Sequence, residues 1–101
     1  MNAPKLTVIV NRKKYSTETA TLLASDVYWD GHNFERNGRN EFLYRTPKGE
    51  YFTVNVSMWQ GERETLTPIS EGEAIELFEG SLTEHEVTYA EAFPGVDVTD
   101  A

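Results

Sequence analysis

Two runs, Glu41-Phe-Leu-Tyr-Arg-Thr46 and Glu50-Tyr-Phe-Thr-Val-Asn-Val-Ser-Met-Trp59, separated only by Pro47-Lys-Gly49, constrain this chain more than any other stretch. Both are rich in aromatic and β-branched residues, and a short glycine-containing link between two such runs predicts an antiparallel hairpin. Strand periodicity puts Phe52, Val54, Val56 and Met58 on one face, with Tyr51, Thr53, Asn55, Ser57 and Trp59 on the other. The first face reads as core. Tyr44, Tyr51 and Trp59 are expected to share the second face. Covered by a helix they are core, and left open they form the Tyr/Trp-rich anchor of a protein interface.

The flanking segments supply partners for that hairpin. Leu6-Thr-Val-Ile-Val10 alternates as a strand, Asn11-Arg-Lys-Lys14 is its polar turn, and Tyr15 resumes pairing briefly. Ala20, Leu23, Ala24 and Val27 recur at spacings of three and four, predicting a helix capped by Ser16 or Thr17 that runs to about Ser25. Asp30 to Asn40 reads as a loop anchored by Phe34, and Gln60 to Glu64 as a turn. Thr65-Leu-Thr67 is a short strand with Pro68 at its end. Ser70-Glu-Gly-Glu73 has the capping-box pattern, and the helix behind it turns Ala74, Leu77 and Phe78 inward before Gly80. Thr83-Glu-His-Glu86 repeats the pattern and predicts a second helix over Glu84–Phe93, ahead of Pro94-Gly95.

The expected fold is therefore α+β, a mostly antiparallel sheet of three to four strands with two to three helices packed on it. One domain over residues 1–95 and a flexible acidic tail over 96–101 account for the chain of 101 residues. Cysteine is absent, so disulfide staples, cysteine-type zinc sites and thiol nucleophiles are excluded. No run approaches the roughly 20 apolar residues of a membrane span, and the first residues lack the apolar core of a secretory signal.

Charge is segregated along the sequence. Met1 to Lys48 carries eight Lys/Arg against five Asp/Glu, whereas Gly49 to Ala101 carries one, Arg63, against twelve. A net charge of −8 with pI near 4.6 disfavours direct binding to nucleic acid or anionic lipid. Such segregation lowers the stability of a compact state but steers a partner of opposite sign. Glu71, Glu73, Glu76 and Glu79 lie on one predicted helix and Glu84, Glu86 and Glu91 on the next. At 1.5 Å rise per residue they would stand about 5 to 10 Å apart along an axis. That is sparser than duplex DNA, with one charge per roughly 1.7 Å, yet able to occupy a groove built for phosphate. The plainer reading is a solvated face that keeps a small protein soluble.

Other groupings point less far. Asp30, His32 and Glu35 share a loop but do not fix a metal geometry, and Arg12, Lys13 and Lys14 read as a solvated turn. His85 is expected at the surface between Glu84 and Glu86. No serine sits in a nucleophile elbow, no glycine series cradles a phosphate, and nothing selects two carboxylates for acid/base work. The expectation is a protein with no catalytic residues, no metal and no cofactor.

The succession Tyr15-Ser-Thr-Glu-Thr-Ala20, Leu43-Tyr-Arg-Thr46, Gly49-Glu-Tyr-Phe52 and Thr67-Pro-Ile-Ser-Glu-Gly-Glu-Ala74 resembles small acidic proteins of phages and integrative mobile elements. That resemblance implies an inhibitor of host defence, anti-CRISPR proteins among them, acting in the cytoplasm of a bacterial host cell. The implied partner is a host protein or nucleoprotein with a basic nucleic-acid-binding surface, and the chain would act as monomer or homodimer. On this reading Glu71, Glu73, Glu76, Glu79, Glu84 and Glu86 steer and position, and Trp59 anchors. The alternative expectation is a structural or accessory module of a phage or plasmid that self-associates.

Overall fold

The computed structural model describes residues 5–26, 39–57 and 63–99. Strands β1 (Thr7–Val10) and β2 (Lys13–Ser16) form a hairpin of their own. Strands β3 (Thr21–Ser25), β4 (Arg39–Arg45), β5 (Tyr51–Ser57) and β6 (Thr65–Ile69) form an antiparallel meander. Helix α1 (Glu71–Glu79) follows, then β7 (Glu84–His85) and the single-turn helix α2 (Tyr89–Ala92). The large sheet has the order β6-β5-β4-β3-β7. Thus α1 links one edge of the sheet to the other. Four strand spacings of about 4.8 Å make roughly 19 Å, and nine helical residues supply about 13 Å of it.

Both faces of the sheet carry a buried cluster. On one, Tyr15 of β2 packs with Phe42, Tyr44, Phe52 and Val54, joined by Leu6, Val10, Leu22 and Leu66. The Tyr44 and Phe52 rings stack at 5.1 Å, and Tyr15 meets Phe52 edge-on at 5.6 Å. On the other, Leu23, Ala24, Leu43 and Tyr51 pack under Ala74 and Phe78 of α1 and Leu82, Ala92 and Phe93. The Tyr51 hydroxyl donates to the Ala92 carbonyl at 2.9 Å, tying the sheet to α2. The result is three layers: hairpin, sheet, helices.

The hairpin and the capped α1 fall where the periodicities place them, and the sheet is larger than expected. It has five strands beside a separate two-stranded sheet, and the described residues hold two short helices. The segment expected as a helix from Ser16 to about Ser25 is a turn followed by β3. Its helix-like spacing arises from a β-bulge: Leu22 pairs with Tyr44 and Ala24 with Leu43, leaving Leu23 extra. A bulge breaks strict alternation, so Leu23 and Ala24 both enter the helix-side core. Similarly, the expected helix over Glu84–Phe93 begins as strand. Glu84 and His85 pair with Ser25 and Ala24 at the open edge of β3, and Thr88 with Glu91, rather than Thr83 with Glu86, forms the capping box.

Smaller differences have equally local causes. Tyr44 lies opposite Phe52 in the register, so it shares that face rather than the Tyr51 face, and both tyrosines are core. Pro68 sits inside β6 opposite Phe52, tolerated because β6 is an edge strand. Gly80 follows α1 with φ −113°, so a left-handed cap is not its reason. A Cβ there would stand 2.9 Å from the Glu76 carbonyl oxygen, and close approach explains the glycine. Val96 packs against the helix-side core, whereas Val98 is exposed. Val27, Met58, Trp59 and the Asp30–His32–Glu35 loop lie outside the described residues.

Tyr51 and Tyr44 carry buried hydroxyls on opposite faces, one bonded and the other with no partner among the described residues. Tyr51→Phe should lower unfolding free energy by about 1 kcal/mol, because the Ala92 carbonyl loses its donor. Tyr44→Phe should leave stability unchanged or raise it. Denaturant midpoints at constant m-value check both, and equal losses would contradict the contrast.

Candidate functional site

The two covers of the sheet carry opposite charge. Lys5, Arg12, Lys13 and Lys14 accompany the β1–β2 hairpin against Glu18 alone. Between Ser70 and Thr99 the helical cover carries eight Asp/Glu and no Lys or Arg. All eight, Glu71, Glu73, Glu76, Glu79, Glu84, Glu86, Glu91 and Asp97, are exposed. The charge split along the chain has become a split across the sheet.

Each carboxylate is placed by a local device. Ser70 caps α1, its hydroxyl accepting from the Glu73 amide at 3.1 Å while the Glu73 carboxylate accepts from the Ser70 amide at 3.2 Å. Glu91 closes the same box on Thr88, whose amide and hydroxyl both donate to its carboxylate at 3.0 Å and hold the carboxyl below the usual range. Glu79 accepts from the Tyr89 hydroxyl at 2.7 Å. Glu71, Glu76 and Glu86 have no side-chain hydrogen bond or ion pair among the described residues. α1 turns Ala74 and Phe78 inward, which leaves Glu76 near the middle of its solvent side with Glu73 and Glu79 flanking it. Glu84 lies on β7 and Glu86 just beyond it, so the set wraps the helical layer instead of forming a ladder on two helices.

His85 is held more closely than its exposure suggests. Its ring stacks on Phe78 at 3.8 Å, and Nε2 lies 2.7 Å from the Phe78 carbonyl oxygen, so it donates there. That carbonyl is one of the last of α1, and the contact caps the helix end.

Between α1 and the sheet runs an open groove of about 560 Å³, lined by Glu41, Thr53, Asn55, Thr67, Glu73 and Glu76. Burial, reinforced by the nearby Asp26 and opposed by a hydrogen bond from Asn55, raises the Glu41 carboxyl above the usual range. Sequence reasoning missed Glu41, although its parity with Leu43 in β4 places it on the helix side. The described residues contain no grouping of three His, Cys, Asp or Glu able to hold a metal. Trp59, expected as an anchor, lies outside the described residues.

No family model, no curated protein and no solved structure matches this chain. Among the described residues no helix is long and apolar enough to cross a membrane.

The Glu41 environment has a consequence for pH. Because the folded protein holds this proton more tightly than the unfolded chain, the stability it contributes is full below the ordinary carboxylate range. It is lost as pH rises through the folded value. Glu41→Gln should therefore raise Tm at neutral pH, with the gain shrinking as pH falls toward about 4. Thermal unfolding across that range checks it, and a pH-independent gain would contradict the cause.

Proposed function

We propose that this protein is a non-enzymatic binding module whose acidic helical layer docks on the basic surface of a larger protein and occludes it. The observation that carries this reading is the layer itself: eight exposed carboxylates with no basic residue in the same 30-residue stretch. The sole ion pair among the described residues, Lys13 with Glu50, lies elsewhere. Carboxylates left free of internal cations keep their field for a partner, where it raises association rate and is weakened by salt. The finer form, a phage or mobile-element inhibitor of the anti-CRISPR kind directed at a nucleic-acid-binding surface, is supported by the sequence resemblance.

Self-association through sheet edges is the weaker reading. β7 spans two residues, and β6 contains Pro68, which offers no N–H to a pairing strand.

Glu76 and Glu86 serve no cap, so reversing them tests the surface without unmaking a helix. The parent protein, used as bait in host lysate, should retain a basic nucleic-acid-binding protein that duplex DNA competes away. The Glu76→Lys/Glu86→Lys variant should retain it about tenfold less well in low salt, with a smaller difference in high salt. Equal retention by both would remove the reading.

A further inference from the structure

The β1–β2 turn, expected to be merely solvated, is half of a cleft. The Lys13 ammonium meets the Glu50 carboxylate at 2.7 Å, bringing the turn against the β4–β5 link. Between them lies a concavity of about 410 Å³, lined by Arg12, Lys13, Lys14 and Lys48 with Thr46 and Glu50. Four basic residues thus line the cleft with one acidic residue in a protein whose net charge is −8.

The backbone shows that the cleft is kept at a cost. Asn11 and Arg12 form a two-residue turn with φ of 51° and 66°. Asparagine tolerates that region, and glycine is the favoured second residue of such a turn. Arginine there is strained, so the guanidinium stands where glycine would be easier. The facing turn is rigid: Gly49 at φ 89° donates to the Thr46 carbonyl at 2.9 Å, and the Thr46 amide donates to the Glu50 carbonyl at 2.8 Å. Glu50 in turn fixes Lys13 and holds its ammonium more strongly protonated.

We propose that this cleft binds a small molecule bearing a di- or triphosphate group. Guanidinium and ammonium side chains gathered from two turns match clustered phosphoryl oxygens. The volume falls within the range of roughly 300 to 1,000 Å³ typical of small-molecule sites. Size also argues against nucleic acid. The acidic helices lie on the far side of the sheet, a layer spacing of about 10 Å beyond it. With a Debye length of about 8 Å at physiological salt, they are largely screened from a compact ligand in the cleft. A long polyanion would run past the cleft into the field of the remaining carboxylates. This site is separate from the acidic layer, and neither reading depends on the other.

Titration of the full chain with inorganic pyrophosphate, followed by amide chemical shifts, tests the proposal. One saturable site is expected, with shifts confined to residues 11–15 and 46–50. Lys48→Gln and Arg12→Gly should each weaken it about tenfold, the loss of one charge-assisted contact. Arg12→Gly should at the same time melt no lower than the parent, which separates lost binding from lost fold. No saturable shift at the two turns, equal affinity in both variants, sulfate binding as tightly as pyrophosphate, or tighter binding of single-stranded DNA would each overturn the proposal.

Discussion

A strand places successive side chains on opposite sides, and β4 and β5 bury apolar groups on both: Phe42, Tyr44, Phe52 and Val54 on one, Leu43 and Tyr51 on the other. Phe52 and Tyr51 are neighbours in sequence, yet each needs a different cover. The rest of the architecture answers that requirement. The β1–β2 hairpin closes the Phe52 side, while α1, α2 and Phe93 close the Tyr51 side. Neither cover has a core of its own. The sheet therefore sets where the charges of both covers end up, because each is held by the apolar face it shields.

Legibility in the sequence followed the locality of the forces. The β4–β5 hairpin and the Ser70–Glu73 cap depend on contacts within a few residues, and both were readable to within a residue or two. β3 was not, because its bulge at Leu23 is fixed by pairing with β4, and the resulting spacing imitates a helix. β7 was hidden for a related reason. Glu84 and His85 have no strand propensity to announce them, and they pair because β3 presents an open edge. In each case a long-range partner overrode the local pattern.

The acidic set was legible as composition but not as geometry. Glu73 and Glu91 are partly spent on helix caps and Glu79 on Tyr89, whereas Glu71, Glu76 and Glu86 have no side-chain partner among the described residues. Sequence spacing could not separate these roles, since capping depends on where each helix begins. Nor could it place Arg12 and Lys48 on one cleft, since they are distant in the chain and lie on the two turns that Lys13 and Glu50 join.

The arrangement of the two covers has a consequence for orientation. With positive groups on one side of a thin sheet and negative groups on the other, the molecule carries an electric moment across its layers. Near a cationic surface that moment favours orientations with α1 foremost and the β1–β2 hairpin outward. In that orientation the cleft between the β1–β2 turn and the β4–β5 link faces away from the surface.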